Sequence, residues 1–346
     1  MKIGLTYDSR RDYAALGFSE EDVAEFDSEA TLEALTAVLT ALGHEVERLG
    51  NVFALAPRLC AGQSWDLVFN ICEGLFGRNR ESQVPALLEA YQIPYAFSDP
   101  LTLALTLDKA LAKQIIHAAG LRTPLFLTAA TAEECRTLPE RWQQGYPVFV
   151  KPLCEGTGKG ITAEAVVRDP GALARYAERL LTTYQQPVLV EEFLPGREFT
   201  VGLVGTGDEA RVVGAMEVVL LANADPGVYT YANKEYCEDR VAYRPLLEPS
   251  WLHAAATLAL AAYRALGCRD AGRVDLRADA NGQLHFLEVN PLAGLHPTHS
   301  DLPILSTQAG WTYAQLIGAI VASAARRTFP GRARVEQILR FAHGTS

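Results

Sequence analysis

AGRVDLRADANGQLHFLEVNP, residues 271–291, holds two runs of alternating polar and apolar residues on either side of Asn281-Gly282. An Asn-Gly pair between two such runs is among the strongest short hairpin signals in a sequence. If Asn281 and Gly282 are the two loop residues, the two residue numbers of every cross-strand pair have the same sum. Asp275 then lies directly opposite Glu288. A loop two residues longer would shift the register but keep both carboxylates on the same face.

The hairpin register also predicts a metal site. It sets Arg273 opposite Asn290, and the two-residue period of a strand places both on the face of Asp275 and Glu288. Opposite Cβ atoms lie roughly 5 Å apart, where two carboxylates repel each other, so this pair requires a cation. Two carboxylates and an amide oxygen suit Mg²⁺, completed by waters and nucleotide phosphates, better than Zn²⁺, which prefers Cys and His. A solvated face on an edge hairpin is the alternative.

Length and composition indicate a globular protein with more than one packed unit. The chain has 346 residues, of which 21% are charged and 49% hydrophobic, which leaves ample material for a core. Single cores stop growing at about 250–300 residues, so two or three units are expected. The formal net charge of -10 disfavours nucleic acid as the main partner, and any anionic ligand must be met by locally placed Lys and Arg.

The N-terminus and the cysteines bear on the cellular location. Met1 leads into a strand pattern instead of a signal peptide, and no uncharged apolar run is long enough to span a bilayer. We therefore expect a cytoplasmic protein without a membrane partner. The 6 cysteines include no C-x-x-C pair, so neither a disulfide framework nor a zinc ribbon is predicted.

The first hundred residues alternate between strand and helix patterns. Lys2 to Tyr7, Glu45 to Leu49 and Trp65 to Ile71 are predicted strands, and Ser28 to Leu42 is a predicted amphipathic helix. This spacing indicates a parallel sheet with crossover helices, on which ligands gather at the C-terminal strand ends. The charged loop CEGLFGRNRES, residues 72–82, follows the third strand at that edge. It is either a substrate loop or an ordinary solvated loop.

The middle of the chain, from about residue 123 to 195, predicts a compact α+β unit. Within it, PVFVKPLCEGTGKGI places Lys151 at the end of a strand and before a loop with three glycines. Glycines let a backbone approach phosphates closely. The loop differs from a Walker A motif because Lys159 precedes Gly160 and the following ITAEAVV is strand-like. A flexible flap over a nucleotide is predicted, with a plain hairpin loop as the alternative.

Further polar residues could belong to the same site. VLVEEFLPGREFTV ends a strand in Glu191 and Glu192 and offers carboxylate and backbone groups beside an apolar slot, as adenine and ribose require. Lys109 and Lys113 share one face of a predicted helix, where solvated lysines are the more common explanation. The long loop around Lys234 is either a lid or a disordered surface segment.

In chain order, these features resemble the ATP-grasp fold, and specifically the D-alanine:D-alanine ligase branch. The motifs are Lys109 on a helix, VFVKP with EGTGKG, VLVEEFLPGREFTV, Lys234 in a tyrosine-rich loop, GRVDLR and FLEVNP. The resemblance implies α/β and α+β architecture in three domains. These are an N-terminal parallel-sheet domain at 1–102, a central small α+β domain at 103–192 and a C-terminal antiparallel-sheet domain at 193–330.

The resemblance also implies a role for individual residues. The residues that it assigns to ATP are Lys109, Lys151, Thr157, Glu191, Phe193, Leu194 and Glu198. It assigns the reaction to Lys234, which would reach the γ-phosphate, to Arg273, which would neutralise transferred charge, and to the Gly294 N–H, which would help form an oxyanion hole. Two Mg²⁺ ions, with Mn²⁺ as the alternative, would bind Asp275, Glu288 and Asn290.

Family members phosphorylate a carboxylate with ATP and let an amine attack the acyl phosphate, which gives an amide, ADP and phosphate. The expected partners are therefore a small carboxylate and a small amine, and the resemblance is compatible with a homodimer. A related amide ligation is predicted in preference to the joining of two D-alanines. Authentic D-alanine:D-alanine ligase and a non-catalytic nucleotide-binding sensor are the alternatives.

The preference for another substrate pair comes from departures in the substrate region. Glu25 lies near the place of the family's ammonium-binding acid, and Glu73 lies where the family has a His-Gly segment. Ser300 matches a family position near the second substrate's carboxylate, but Asp301 after it replaces an apolar residue. The H-x-x-H spacing of His296 and His299 lacks a third zinc ligand, so both are interpreted as loop histidines near the substrate.

Overall fold

The strands of the protein form one parallel and two antiparallel sheets. The computed structural model describes residues 1–224, 233, 237–327 and 335. A three-stranded parallel sheet lies in the N-terminal part, a four-stranded antiparallel sheet in the middle and a five-stranded antiparallel sheet in the C-terminal part. This architecture confirms the predicted combination of α/β and α+β structure. Within the described ranges, no helix is both long and apolar enough to cross a membrane.

The N-terminal sheet has helices packed on both faces. Its elements are β1 (Lys2–Tyr7), α1 (Arg10–Ala15), α2 (Glu29–Ala41), β2 (Glu45–Gly50), α3 (Val52–Cys60), β3 (Leu67–Ile71), α4 (Gln83–Ala90) and α5 (Pro100–Leu107). The strand order is β2-β1-β3. Because side chains alternate along a strand, Phe69 packs in the core cluster of α2 whereas Val68 packs in that of α3 and α4.

Two short helices of this part begin at capping residues. Helix α1 begins after Ser9, and α3 begins after Asn51; both side chains accept a backbone N–H of the first turn. Such N-cap residues start helices even in short segments. The IPYAF segment, residues 93–97, forms only an isolated bridge between Tyr95 and Val68.

The central sheet forms a small unit with two helices. Its elements are α6 (Lys109–Ala118), β4 (Phe126–Ala129), α7 (Ala132–Arg141), β5 (Val148–Pro152), β6 (Val166–Val167), α8 (Pro170–Tyr184) and β7 (Val188–Glu192). The strand order is β4-β7-β5-β6, and α7 and α8 share its core. The ITAEAVV strand prediction was largely wrong, because Thr162 caps a turn of 3₁₀-helix at Ala163–Ala165 and leaves only β6 to pair with β5.

The C-terminal sheet carries the hairpin. Its elements are β8 (Glu198–Val204), β9 (Arg211–Leu220), α9 (Cys237–Arg240), β10 (Val241–Pro245), α10 (Pro249–Ala265), β11 (Ala271–Ala278), β12 (Leu284–Asn290), α11 (Asp301–Gln308) and α12 (Tyr313–Ala325). The strand order is β10-β9-β8-β11-β12. Helix α11 lies in a segment that was predicted as a loop. It packs on β8 at Gly202, where a Cβ would collide with the side chain of Leu305.

The register of the hairpin is as predicted, but its loop is different. The strands pair Asp275 with Glu288, which confirms the prediction. The loop is one residue longer than the predicted Asn281-Gly282 pair, since the Gly282 N–H donates to Asp279 O at 3.1 Å and Gly282 has φ +78°. Three-residue loops with a left-handed glycine are a common hairpin type. A β-bulge at Leu287 compensates for the extra loop residue and restores the predicted pairing.

The division into domains remains a prediction. Helix α5 runs across the predicted boundary between residues 102 and 103. Helix α6, assigned to the central domain, packs with Ala112 and Ile116 in the core of the C-terminal sheet. The predicted boundary at 192 falls between β7 of the central sheet and β8 of the C-terminal sheet.

A buried carboxylate joins the N-terminal part to the C-terminal sheet. Asp270 is 0% exposed, and its side chain accepts hydrogen bonds from the Phe97 N–H at 2.7 Å, Ser323 Oγ at 2.8 Å and Thr206 Oγ1 at 3.2 Å. Arg327 supplies the compensating charge. Because each partner lies on a different segment, this one side chain connects three parts of the chain.

We expect Asp270→Ala to lower the free energy of unfolding by about 2–4 kcal/mol, because it leaves a buried N–H and two hydroxyls without their acceptor. Urea unfolding monitored by circular dichroism measures the change. Asp208→Ala, at an exposed position in the neighbouring turn, is the control and should change stability by less than about 0.5 kcal/mol. Equal effects of the two substitutions would contradict this role of Asp270.

Candidate active site

The charged face of the hairpin is compensated by neighbouring donors. Asp275 is nearly buried and accepts a hydrogen bond from Thr200 Oγ1 at 2.9 Å. Arg273 Nη1 lies 3.3 Å from Asp275 Oδ2, and Asn290 Nδ2 donates to the same oxygen at 3.3 Å. These contacts hold the Asp275 carboxylate in place on the sheet.

The opposite carboxylate, Glu288, is held by a helix terminus. Lys109 is the first residue of α6, and its Nζ lies 3.4 Å from Glu288 Oε2. Asp108 caps this helix by accepting the N–H groups of Ala110 and Leu111. The cap fixes the direction in which Lys109 leaves the helix, so a lysine distant in sequence faces the hairpin.

The donor set fits a hard divalent cation. In the described part of the chain, no group of three or more His, Cys, Asp or Glu side chains is placed to hold a metal ion. The hairpin offers instead two carboxylates, Asp275 and Glu288, and the amide of Asn290. Rotating that amide by half a turn would direct its oxygen, instead of Nδ2, toward Asp275. Such a set requires further oxygen ligands from water or phosphate, as Mg²⁺ sites commonly have.

A buried ion triad forms the base of the adjoining cleft. Glu191 is 2% exposed and lies 2.9 Å from both Lys113 Nζ and Lys151 Nζ. Burial raises the pKa of the Glu191 carboxyl, but the two lysines outweigh burial and lower it overall. Burial lowers the pKa of Lys113 to about 8 despite Glu191. Lys113 is 0% exposed, so its interpretation as a solvated lysine was wrong.

The residues predicted to bind ATP line one cleft between the central and C-terminal sheets, with a single exception. Those that line it are Lys109, Lys151, Glu191, Phe193, Leu194 and Glu198. Its apolar walls also include Phe149, Ile161 and Leu287, which the sequence did not single out. Leu287 reaches the cleft because of the bulge in β12. Apolar walls with a few charged groups are typical of a small-molecule site.

The exception, Thr157, lines a second cavity of about 710 Å³. This cavity shares Lys109, Arg273 and Glu288 with the cleft, so the two meet at the hairpin face. Thr157 Oγ1 is buried and has no hydrogen-bond partner in the part of the chain that the structure describes. A group entering from either side would reach the same cations and carboxylates.

Gly294 lines the second cavity and also a neighbouring one, which Ser300, His296, His299 and Asp301 line. A Cβ at Gly294 would come within 2.8 Å of Ser300 Oγ, so the chain passes that hydroxyl closely. Ser300 Oγ in turn accepts the His296 N–H at 3.0 Å. The rings of His296 and His299 pack edge to face, with centroids 6.0 Å apart.

Asp301 and Glu25 are already engaged by arginines. Asp301 forms an ion pair with Arg273. Glu25 forms an ion pair with Arg80 at 2.7 Å and accepts the Gly156 N–H at 2.6 Å. Glu25 therefore ties the glycine-rich loop to the N-terminal part, and it also lines the second cavity, where its role as an ammonium ligand stays a prediction. The pairing joins residues far apart in sequence, and no local pattern indicates it.

Two further residues complete the comparison with the sequence prediction. Glu73 lines the second cavity as expected, and Glu81, which was not predicted, lines it too. Both belong to the charged loop after β3, which the sequence analysis considered as a substrate loop. That pattern could have indicated Glu81 as well as Glu73. Lys234 lies outside the described residues.

Comparisons with known proteins agree with this geometry. The family model "D-ala D-ala ligase C-terminus" matches residues 115–322. A D-alanine–D-alanine ligase from Bordetella petrii is 35% identical over 266 residues, which cover 77% of this chain and 78% of that protein. Two solved structures share the fold at low sequence identity. A Bacillus anthracis D-alanine–D-alanine ligase complexed with ATP has a TM-score of 0.67, with 20% identity and coverage of 94% of this chain and 98% of its own. The VanG D-Ala:D-Ser ligase from Enterococcus faecalis has a TM-score of 0.72, with 20% identity and coverage of 93% and 99%.

We expect Glu191→Gln to lower the free energy of unfolding by about 3–5 kcal/mol, because two buried lysines lose the carboxylate with which both form ion pairs. It should also weaken ATP binding measured by titration calorimetry. Glu140→Gln is the control: it removes one carboxylate from an exposed position of α7 in the same unit and should leave both quantities near wild type. Equal behaviour of the two variants would show that the triad has no such role.

Proposed function

The chain belongs to the D-alanine–D-alanine ligase family of ATP-grasp enzymes, and we propose that it joins a small carboxylic acid to an amine through an acyl phosphate. The observation that carries the proposal is the position of the hairpin face. Arg273 and Glu288 lie where the cleft, which Asp275 also lines, meets a second cavity lined by carboxylates and Gly294. This is where a phosphoryl group would pass from ATP to an acid.

The nucleotide would lie in the cleft with its phosphates toward the hairpin. Phe193 and Leu194 would contact adenine, and Glu198 would accept the ribose hydroxyls while Arg277, 3.0 Å away, holds its carboxylate. Lys151 would bind the phosphates from the base of the cleft. Glu191, between two lysines, would both accept the adenine amino group and fix Lys151.

The metal would be Mg²⁺, or Mn²⁺, bound by Asp275, Glu288 and Asn290. When bound, it supplies positive charge to the phosphate oxygens during transfer. Two ions would relieve the repulsion between Asp275 and Glu288 more fully than one. Lys109, at the junction of both cavities, would release Glu288 to the metal and turn to the transferred phosphoryl group.

The chain's own groups then account for the two chemical steps. A carboxylate oxygen of the acid attacks the γ-phosphorus, ADP leaves, and Arg273 lies beside the charge that moves. The amine nitrogen next attacks the acyl carbon, loses a proton, and phosphate leaves as the amide forms. The Gly294 N–H would stabilise the oxyanion of that step. Lys234 remains a predicted γ-phosphate ligand.

The names of the curated relatives favour two D-alanines as substrates. They therefore support the authentic D-alanine:D-alanine ligase better than the predicted ligation of another substrate pair. We propose D-alanine as the acid. One observation favours an acceptor amine without a carboxylate: Asp301 already occupies Arg273, a cation that an acceptor carboxylate would otherwise meet. The homodimer and the cytoplasmic location stay predictions.

Purified protein with ATP, Mg²⁺ and D-alanine should release phosphate and form a dipeptide identified by mass. Asp275→Asn and Glu288→Gln should each lower kcat by about 10²–10³-fold, because each removes charge that positions the phosphoryl group. Asp279→Asn, in the loop of the same hairpin, makes the same chemical change outside the site and should stay near wild type. Full activity in both site variants would contradict the metal assignment. A protein that binds ATP without turnover would favour the non-catalytic sensor.

With D-alanine as the acid, D-alaninamide should be a better acceptor than D-alanine, as measured by KM. Asp301→Asn should lower the KM for D-alanine as acceptor by about tenfold, because it removes a carboxylate that competes with the acceptor's carboxylate for Arg273. Asp301→Glu keeps the charge and serves as the control. If wild type prefers D-alanine and the Asn variant gains nothing, the acceptor is an ordinary amino acid.

A further inference from the structure

We propose that Glu73 and Glu81 together bind the ammonium group of the acid substrate, so that the enzyme selects amino acids over plain carboxylic acids. This inference rests on the proposed ligase function and deepens it. It assigns ammonium recognition to the loop after β3, beside Glu25, which lines the same cavity and is paired with Arg80.

The two carboxylates stand at the correct edge of the sheet. Glu73 follows the C-terminal end of β3, and Glu81 lies in the single turn of 3₁₀-helix at Arg80–Ser82 that precedes α4. Both line the second cavity, whose other walls carry Arg273 and Gly294. An acid bound with its carboxylate toward Arg273 would therefore have its other end near Glu73 and Glu81.

Arg80 lowers the pKa of both carboxylates, but neither carboxylate pairs with it directly. Glu81 is only 9% exposed, and within the described residues neither Glu81 nor Glu73 forms a hydrogen bond or an ion pair through its side chain. Burial raises the pKa of Glu81 to about 7, and burial together with Glu81 raises the pKa of Glu73. A buried carboxylate without a partner is unfavourable, so this pair is suited to a cation.

The neighbouring cations are committed elsewhere. Arg80 forms its ion pair with Glu25 and donates to Cys154 O at 2.9 Å. Lys109 contacts Glu288 and donates to Glu155 O. Three carboxylates, those of Glu25, Glu73 and Glu81, thus surround one guanidinium, and two of them are left for a ligand.

An ammonium group has the charge and the donors that this pair of carboxylates would bind. It carries one positive charge and three donors, and charge-assisted hydrogen bonds to two carboxylates are strong and directional. An amino acid carries this group beside the carboxylate that would be phosphorylated. A site that pairs with a substrate's donors rejects an analogue that lacks them far more strongly than an apolar pocket could.

The test compares D-alanine with D-lactate, which has a hydroxyl in place of the ammonium. Hydroxylamine traps the acyl phosphate as a hydroxamate and makes the assay independent of the acceptor. We expect wild type to prefer D-alanine by at least about 10²-fold in kcat/KM. Glu73→Gln and Glu81→Gln should each remove about tenfold or more of this preference, mainly through the KM for D-alanine, with D-lactate unchanged.

Glu20→Gln, which removes an exposed carboxylate from the N-terminal part, is the control and should keep the wild-type preference. Folding is checked by thermal unfolding without substrate, where Glu81→Gln should be at least as stable as wild type because it removes a buried charge. Equal losses for D-alanine and D-lactate, or no preference in wild type, would overturn the proposal.

Binding separates this inference from the proposed function. Calorimetric titration of D-alanine into the protein loaded with a non-hydrolysable ATP analogue needs no turnover. If no acid gives a hydroxamate but D-alanine binds wild type and not Glu81→Gln, the ligase function is wrong and the ammonium site stands. If D-alanine binds both proteins equally, the ammonium site is wrong whatever the activity.

Discussion

Asp275 and Glu288 face each other across neighbouring strands, and the repulsion between them determines the surroundings of the site. Without positive charge, this arrangement would destabilise the sheet. Arg273 and Lys109 supply that charge, one from the same strand as Asp275 and one from the start of α6. A metal ion with nucleotide phosphates would take over their role, so that Lys109 turns to the transferred phosphoryl group while Arg273, still paired with Asp301, stays beside it. The site is thus held together by groups that its ligands can replace.

The positions of these groups depend on the hairpin loop, on the bulge in β12 and on a long-range ion pair. The three-residue loop shifts the hairpin by one residue, and the bulge at Leu287 shifts it back. As a result, Glu288 stays opposite Asp275, and Leu287 turns into the nucleotide cleft as well. On the other side, the Glu25 ion pair with Arg80 ties the glycine-rich loop to the N-terminal part. The metal face, the cleft and the loop therefore share one rigid frame.

Local patterns in the sequence predicted much of this arrangement. The alternation in residues 271–291 predicted the pairing of Asp275 with Glu288, and the order of motifs predicted the fold. The interpretation of Lys113 failed because long-range contacts leave no periodic signal. Lys113 carries the pattern of a solvated lysine and is buried by its pairing with Glu191. The ion pair of Glu25 with Arg80 is equally long-range, so no local pattern indicates it.

The central claim is that Asp275 and Glu288 hold a metal ion shared with the nucleotide. The most direct measurement is anomalous X-ray diffraction at the manganese edge from crystals grown with Mn²⁺ and a non-hydrolysable ATP analogue. The account predicts an anomalous peak bonded to both carboxylates and to phosphate oxygens, with Lys109 turned away from Glu288. A nucleotide in the cleft with no metal on the hairpin face, or a metal bound elsewhere, would contradict it.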